Sequence, residues 1–296
     1  MNVPSSPTHS GGENFPPLVF AVQTEVNPIL KRAAILSTEP EQEWTTWRAR
    51  WAGHDVVIVA SGIGKVNAAM AVQSAIERHR PRVILVCGSA GGLSDDVLPG
   101  DLVIGDRAIQ HDAGVNLGRR FVHTGVHVRG GGRRKMQRGF IPDAGLVDLA
   151  RRAGADLKHD GNGRPAQVHL GPIVTGDQVV FSDERKQWMR ETWRALAVEM
   201  ESAAVAQVAQ ANGIPWLAVR GISDAADGEA GINLARLSEY VEDGESLAGW
   251  MRSQGRRLGY LVRHPEMPGK ITRVVRGVRL AAERAAALTE AVLHEL

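Results

Sequence analysis

The stretch VVIVASGIGKVNAAMAVQSAIERHR, residues 56–80, decides how this chain folds. Val56 to Ala60 is an apolar run dominated by β-branched side chains, the pattern of a strand buried on both faces. Ser61-Gly62-Ile63-Gly64 supplies a tight turn. Lys65 to Arg80 then carries Val66, Ala69, Met70, Val72 and Ile76 on a broad helical stripe. Strand, glycine turn and helix form the repeating unit of a covered α/β sheet. Working outward, Leu18 to Val22, Val83 to Cys87, Leu102 to Ile104 and Trp216 to Val219 read as further buried strands. Met200 to Asn212 reads as an Ala-rich helix stopped at Asn212-Gly213. No internal repeat or low-complexity linker divides the chain, so a single domain is expected over 17–296, after a polar tail at 1–16 without the organisation of a secretory signal.

Composition narrows the function classes. The 35 Lys and Arg against 33 Asp and Glu leave a net charge of +2, which gives no argument for a nucleic-acid partner. Cys87 is the only cysteine, so disulfide frameworks and multi-thiolate zinc sites are excluded. Apolar runs are strand-length, far short of a membrane span, and a cytoplasmic protein is expected. His111-Asp112 has no second ligand at metal spacing, and His123 and His127 read as solvated. Two basic stretches break the rhythm. Arg119 to Gly139 reads as a long flexible loop, its basic part at 119–138. Arg252 to Arg284 holds nine Lys or Arg and reads as the start of a terminal amphipathic helix with a solvated basic face; contact with an anionic lipid surface is the alternative.

Chemistry gathers where strands end. Ser61 to Asn67 is neither a dinucleotide fingerprint, since Asn67 takes the third glycine's place, nor a Walker loop, since Val66 follows Gly64-Lys65. Gly88-Ser89-Ala90-Gly91-Gly92-Leu93 follows a strand and offers backbone N–H groups and the Ser89 hydroxyl to a ligand, without the context of a nucleophilic serine. Val198-Glu199-Met200-Glu201-Ser202 and Arg220-Gly221-Ile222-Ser223-Asp224 bring Glu201, Arg220 and Asp224 to one sheet edge, where Glu25 joins them just past the first strand. Buried charges need partners, so a purely structural ion-pair network competes with a functional site.

With these pieces in order, the chain resembles the nucleoside phosphorylase and nucleosidase superfamily, in particular its methylthioadenosine/S-adenosylhomocysteine nucleosidase branch. The matching pieces are Thr24-Glu25-Val26, SGIGKVNAA (61–69), GSAGGL (88–93), PGDLVI with His111-Asp112 (99–112), GPIVTGDQ (171–178), AVEMESAAVA (197–206) and VRGISDAADG (219–228). The resemblance implies a three-layer α/β/α sandwich around a mixed, partly barrel-like sheet, assembled as a homodimer or larger. It implies Glu25 as general base on an attacking water that Ser89 and Arg220 help to hold. It implies Glu201 on the ribose hydroxyls with Met200 against the sugar, Asp224 as acid toward purine N7 with Ser223 orienting it, and Val179 and Val180 lining the base pocket.

Those residue types suit cleavage of an N-glycosidic bond in a purine nucleoside, with no metal or organic cofactor. A protonated Asp224 has to be raised by burial, whereas Glu25 has to be ionised. Water is expected as nucleophile rather than phosphate: Val86 stands where the related phosphorylases carry a phosphate-binding arginine, and their early glycine-and-arginine loop is replaced by Gln23-Thr24-Glu25-Val26. Three departures stand out. Val179 replaces an aromatic residue, which Phe181 can supply. The 119–138 stretch replaces the region bordering the 5′-substituent, implying room for a larger or more acidic group. The segment 231–296 departs from the branch's usual ending. A phosphorylase, an enzyme cleaving adenine from an adenosylated lipid, and a catalytically idle nucleoside-binding module are the competing readings.

Overall fold

A computed structural model describes residues 15–41, 43–118, 120–130, 133–157, 164–224 and 267–296. The tail at 1–14 and residues 225–266 lie outside the described residues, and so do the expectations that fall on them.

Among the described residues, nine strands form the main sheet, and their sequences explain their places. The centre is β1 (Pro17–Val22), β4 (His54–Ser61), β5 (Val83–Gly92) and β13 (Trp216–Asp224), mutually parallel and nearly all apolar. Every residue of β1 is buried, as a strand covered on both faces requires. At one edge, β2 (Ala34–Pro40) and β3 (Trp44–Trp51) add antiparallel strands with polar, half-exposed faces. At the other, β6 (Leu102–Gln110) runs antiparallel to β13 and parallel to β11 (Val168–Thr175). The short β12 (Ala197–Glu199) lies parallel to β11 and antiparallel to β5. That second pairing closes β5, β13, β6, β11 and β12 into a ring, so the sheet is mixed and partly barrel-like.

Helices cover both faces. On one, α2 (Lys65–His79) and α5 (Ser202–Ala211) bury their alanines against the sheet. On the other lie α1 (Asn27–Leu30), α3 (Ala144–Ala155) and the long terminal α6 (Met267–His294). Helix α4 (Asp183–Trp193) seals the β11–β12 end through Met189. Among the described residues, no helix is long and apolar enough to cross a membrane.

Several expectations change. The buried face of α2 is Ala68, Ala71, Val72, Ala75 and Ile76, while Val66 and Met70 point outward. The small residues Gly88 to Gly92 continue β5 rather than leaving it as a loop. Most of the 119–139 stretch is ordered into antiparallel ribbons, β7 (Gly114–Asn116) with β8 (Phe121–His123) and β9 (Val126–Gly130) with β10 (Arg133–Gln137). His123 is half-buried, its Nε2 3.1 Å from the Gln110 carbonyl and its ring edge-on to Trp193, whereas His127 is exposed as expected. Within α6, Arg284 is not on a solvated face: its guanidinium is buried and donates to the carbonyls of Gly100 and Arg164 at 2.7 and 3.0 Å.

Candidate active site

Glu25 sits in the turn after β1, its backbone N–H bonded to the Val22 carbonyl at 2.9 Å. Its carboxylate is held from β5. The Ser89 N–H donates to Oε2 at 2.7 Å, and the Ser89 hydroxyl donates to Oε1. Position 88 has to be glycine for this to happen, because a Cβ there would lie 2.5 Å from both Glu25 Oε2 and Arg220 Nη1. Ser89 is therefore a carboxylate-orienting group in this geometry.

Arg220, on β13, is 1% exposed, and its charge is matched by two buried carboxylates. Nη2 pairs with Glu199 Oε2 and lies 3.6 Å from Glu201 Oε2. Nε and Nη2 donate to the Ser202 hydroxyl at 3.1 and 3.0 Å, and Nη1 reaches the Ser89 carbonyl at 3.4 Å. These acids hold the guanidinium above its ordinary pKa despite burial. Glu199 is the hub. It accepts from the Thr175 hydroxyl, from the N–H groups of Glu201 and Ser202 at 3.0 and 2.8 Å, and from the Ser202 hydroxyl at 3.0 Å. A buried ion pair persists only when its remaining lone pairs and protons are satisfied in this way. From the sequence, Glu199 and Ser202 had no role beyond their place in the Val198–Ser202 motif, and Thr175 none at all. Their legible signal was Arg220 itself, since a buried guanidinium beside a single acid would have been unbalanced.

Glu201 differs from Glu199. It is 4% exposed and has one strong donor, the Gly64 N–H at 3.0 Å from Oε1. Burial and the adjacent Glu199 charge raise its pKa to about 7 against the opposing pull of Arg220. Gly64 opens α2 with φ of +105°, a conformation that side chains disfavour. Lys65 locks this turn to the loop after β11. Its Nζ pairs with Asp112 at 2.7 Å, its N–H donates to Asp177 Oδ1 at 2.8 Å, and the Asp177 N–H donates back to Asp112 at 3.0 Å. Asp112, which carries no metal reading, is thus a cross-link between two loops. His111 beside it is fully buried, packed against Gly176 and held neutral by burial, its pKa lowered to about 4. Among the described residues, no group of three or more His, Cys, Asp or Glu is placed to hold a metal ion.

A cavity of about 230 Å³ joins these parts. Glu25 and Ser89 line it together with Glu199, Met200, Glu201 and Ser223. Its apolar wall includes Val179, Val180 and Phe181, so an aromatic ring is present although Val179 is not one. Val179 is 66% exposed at the rim, and Val180 is buried. Val278 of α6 also lines the cavity, a contribution with no local signal in the sequence. The Ser223 hydroxyl donates to the Ala90 carbonyl at 3.2 Å. Asp224 ends β13, its backbone in register with Gly91, and its side chain lies outside the described residues. Arg220 stands behind Glu199 and Ser202 rather than among the lining residues, and none of the described lining residues is Lys or Arg. The arrangement can hold an ionised carboxylate beside a polyol and a flat ring on the far side.

A family model described as the phosphorylase superfamily matches residues 18–248. The 5′-methylthioadenosine/S-adenosylhomocysteine nucleosidase of Shewanella halifaxensis is 36% identical over 191 residues, covering 64% of this chain and 76% of that one. The enzyme of the same name from Bacillus thuringiensis is 33% identical over 225 residues, covering 76% and 91%. In three dimensions, the crystal structure of 5′-methylthioadenosine/S-adenosylhomocysteine nucleosidase from Neisseria meningitidis, in complex with methylthio-immucillin-A, aligns with a TM-score of 0.67. It covers 95% of this chain and 98% of that one at 24% identity, a likeness of fold.

Proposed function

Since the chain belongs to the phosphorylase superfamily, we propose that it is a nucleosidase hydrolysing the N-glycosidic bond of a 5′-substituted adenosine to adenine and the substituted ribose. Relatives at 36% and 33% identity that carry the methylthioadenosine/S-adenosylhomocysteine nucleosidase name support this reading. The observation that carries the choice of water over phosphate is the cavity lining. It presents the Glu25 carboxylate, and its described residues include no cation to bind a phosphate dianion.

In this reading, Glu25 takes a proton from the attacking water, with Ser89 fixing the carboxylate by two hydrogen bonds. Glu201 accepts from the ribose hydroxyls, contacts that strengthen as positive charge develops on the flattening sugar. Met200 packs on the sugar, and Arg220 positions Ser89 and the two glutamates from behind. Phe181, Val179 and Val180 bound the adenine. Asp224, at the end of β13 with Ser223 beside it, protonates N7 of the departing base. We further place a second copy of the chain over the cavity mouth. Ile63, in the turn before α2, and Val66 and Met70, on its first turns, are 54%, 67% and 47% exposed, an apolar stripe running from the cavity rim.

Glu25→Gln tests the assignment. Its adenine release should fall about a hundred- to ten-thousand-fold, the usual worth of a general base, while nucleoside binding by calorimetry stays near wild type. Hydrolysis at the wild-type rate would remove Glu25 from the reaction.

A further inference from the structure

The β7–β8 ribbon and α4 border an open groove that plays no part in the chemistry above. Its volume is about 640 Å³, and three guanidinium groups, Arg107, Arg120 and Arg138, line it together with the rings of Phe121, Trp188 and Trp193. Among the described residues, no Asp or Glu lines it. Among the described residues, none of the three arginines is in a salt bridge, although the ion pairs elsewhere include other exposed arginines such as Arg50 and Arg78. The carboxylate nearest in sequence, Asp106, sits at a bulge of β6, is half-buried and is not among the lining residues.

The rings form a fixed wall. Trp188 meets Trp193 edge-to-face at 4.7 Å and Phe121 at 5.7 Å, and His123 meets Trp193 at 4.9 Å. The Arg185 guanidinium lies 4.1 Å from the Trp188 ring centre and 5.2 Å from that of Phe121, tying α4 to β8. The neighbouring β9–β10 ribbon leads directly into Arg138. Solvated surface arginines alone would explain the charge but not its convergence on a preformed aromatic wall.

We propose that this groove binds a mononucleotide-type ligand, its flat base stacked on one ring face of the Trp188, Trp193 and Phe121 wall and in edge contact with the others, and its phosphate held by Arg107, Arg120 and Arg138. Guanidinium forks match phosphate oxygens bidentately, and stacking on aromatic faces tolerates any base. Each half of the ligand is needed: inorganic phosphate has no ring to stack, and a nucleoside has no anion for the arginines. The site is independent of the hydrolytic reading, because it uses none of the cavity residues.

Uridine 5′-monophosphate is the probe, chosen as a pyrimidine so that the adenine cavity does not compete. Titration of the full-length protein by calorimetry should show binding about tenfold or more tighter than uridine or inorganic phosphate, weakening with added salt. The double variant Arg120→Gln/Arg138→Gln should lose about tenfold or more in affinity, while adenine release and the thermal midpoint stay at wild type. Trp188→Leu should weaken binding with the arginines intact, which keeps the test open if the double variant folds poorly. Absence of binding at millimolar nucleotide, equal binding of inorganic phosphate, or affinity unmoved by either variant would overturn the proposal.

Discussion

Glu199 and Glu201 are two residues apart, buried to similar degrees, and yet chemically unlike. Glu199 is surrounded by donors and fixed as the partner of Arg220, whereas Glu201 faces the cavity with its pKa raised to about 7. Two predictions follow from that difference. Ribose hydroxyls donate to the ionised form of Glu201, so substrate binding to the protonated group must expel a proton. Affinity should therefore climb with pH up to about 7 and level off above it, as far as tenfold per unit on the acid side. Glu201→Gln should flatten the profile of KM against pH as well as raise KM, and an unchanged slope would assign the titration elsewhere. Glu199→Ala leaves Arg220 buried beside a weakened set of partners, a change expected to cost about 3–5 kcal/mol in stability. Denaturant unfolding would measure it, and a loss below about 1 kcal/mol would mean that Glu199 is not the hub. The sequence made Glu25, Ser89, Glu201 and Arg220 legible because each stands beside a glycine turn or at the end of an apolar run. Glu199 was legible only indirectly, through the need of Arg220 for a second acid, since its own contacts depend on β12 lying beside β11 and facing β13, neighbours with no local signature.

At the scale of elements, the cavity is held by contacts that leave no room for a side chain. A Cβ on Gly221 would lie 2.0 Å from the Ala281 carbonyl, and one on Gly277 would lie 2.3 Å from the Ser223 carbonyl. Helix α6 thus rests directly on β13 and brings Val278 to the cavity. Gly277→Ala should push α6 away, lowering stability by about 1–3 kcal/mol and kcat/KM with it. Wild-type values of both would show that α6 does not shape the site. The Lys65–Asp112–Asp177 link acts similarly from the other side, and Asp112→Asn should raise KM more than it lowers kcat. Central strands and the helices after glycine turns were legible from apolar runs. The edge strands β2 and β3 were not, because WTTWRARW mixes polar and aromatic residues as a half-exposed strand permits. The Arg- and Gly-rich ribbons read as loop for a related reason: their pairing is set by cross-strand register and not by alternation.

For the whole molecule, the second copy proposed to cover the exposed apolar stripe at the start of α2 can be tested directly. Val66→Glu/Met70→Glu should shift the protein to a monomer in sedimentation, with reduced activity at dilute concentration; an unaltered oligomer would place the interface elsewhere. The central claim, hydrolysis without phosphate, is tested most directly by measuring adenine release from methylthioadenosine, S-adenosylhomocysteine and adenosine, each with and without phosphate. The account predicts release from at least one 5′-thio-substituted adenosine at a rate that phosphate does not change, with free substituted ribose as the second product. Strict dependence on phosphate, with a ribose 1-phosphate as product, would contradict it.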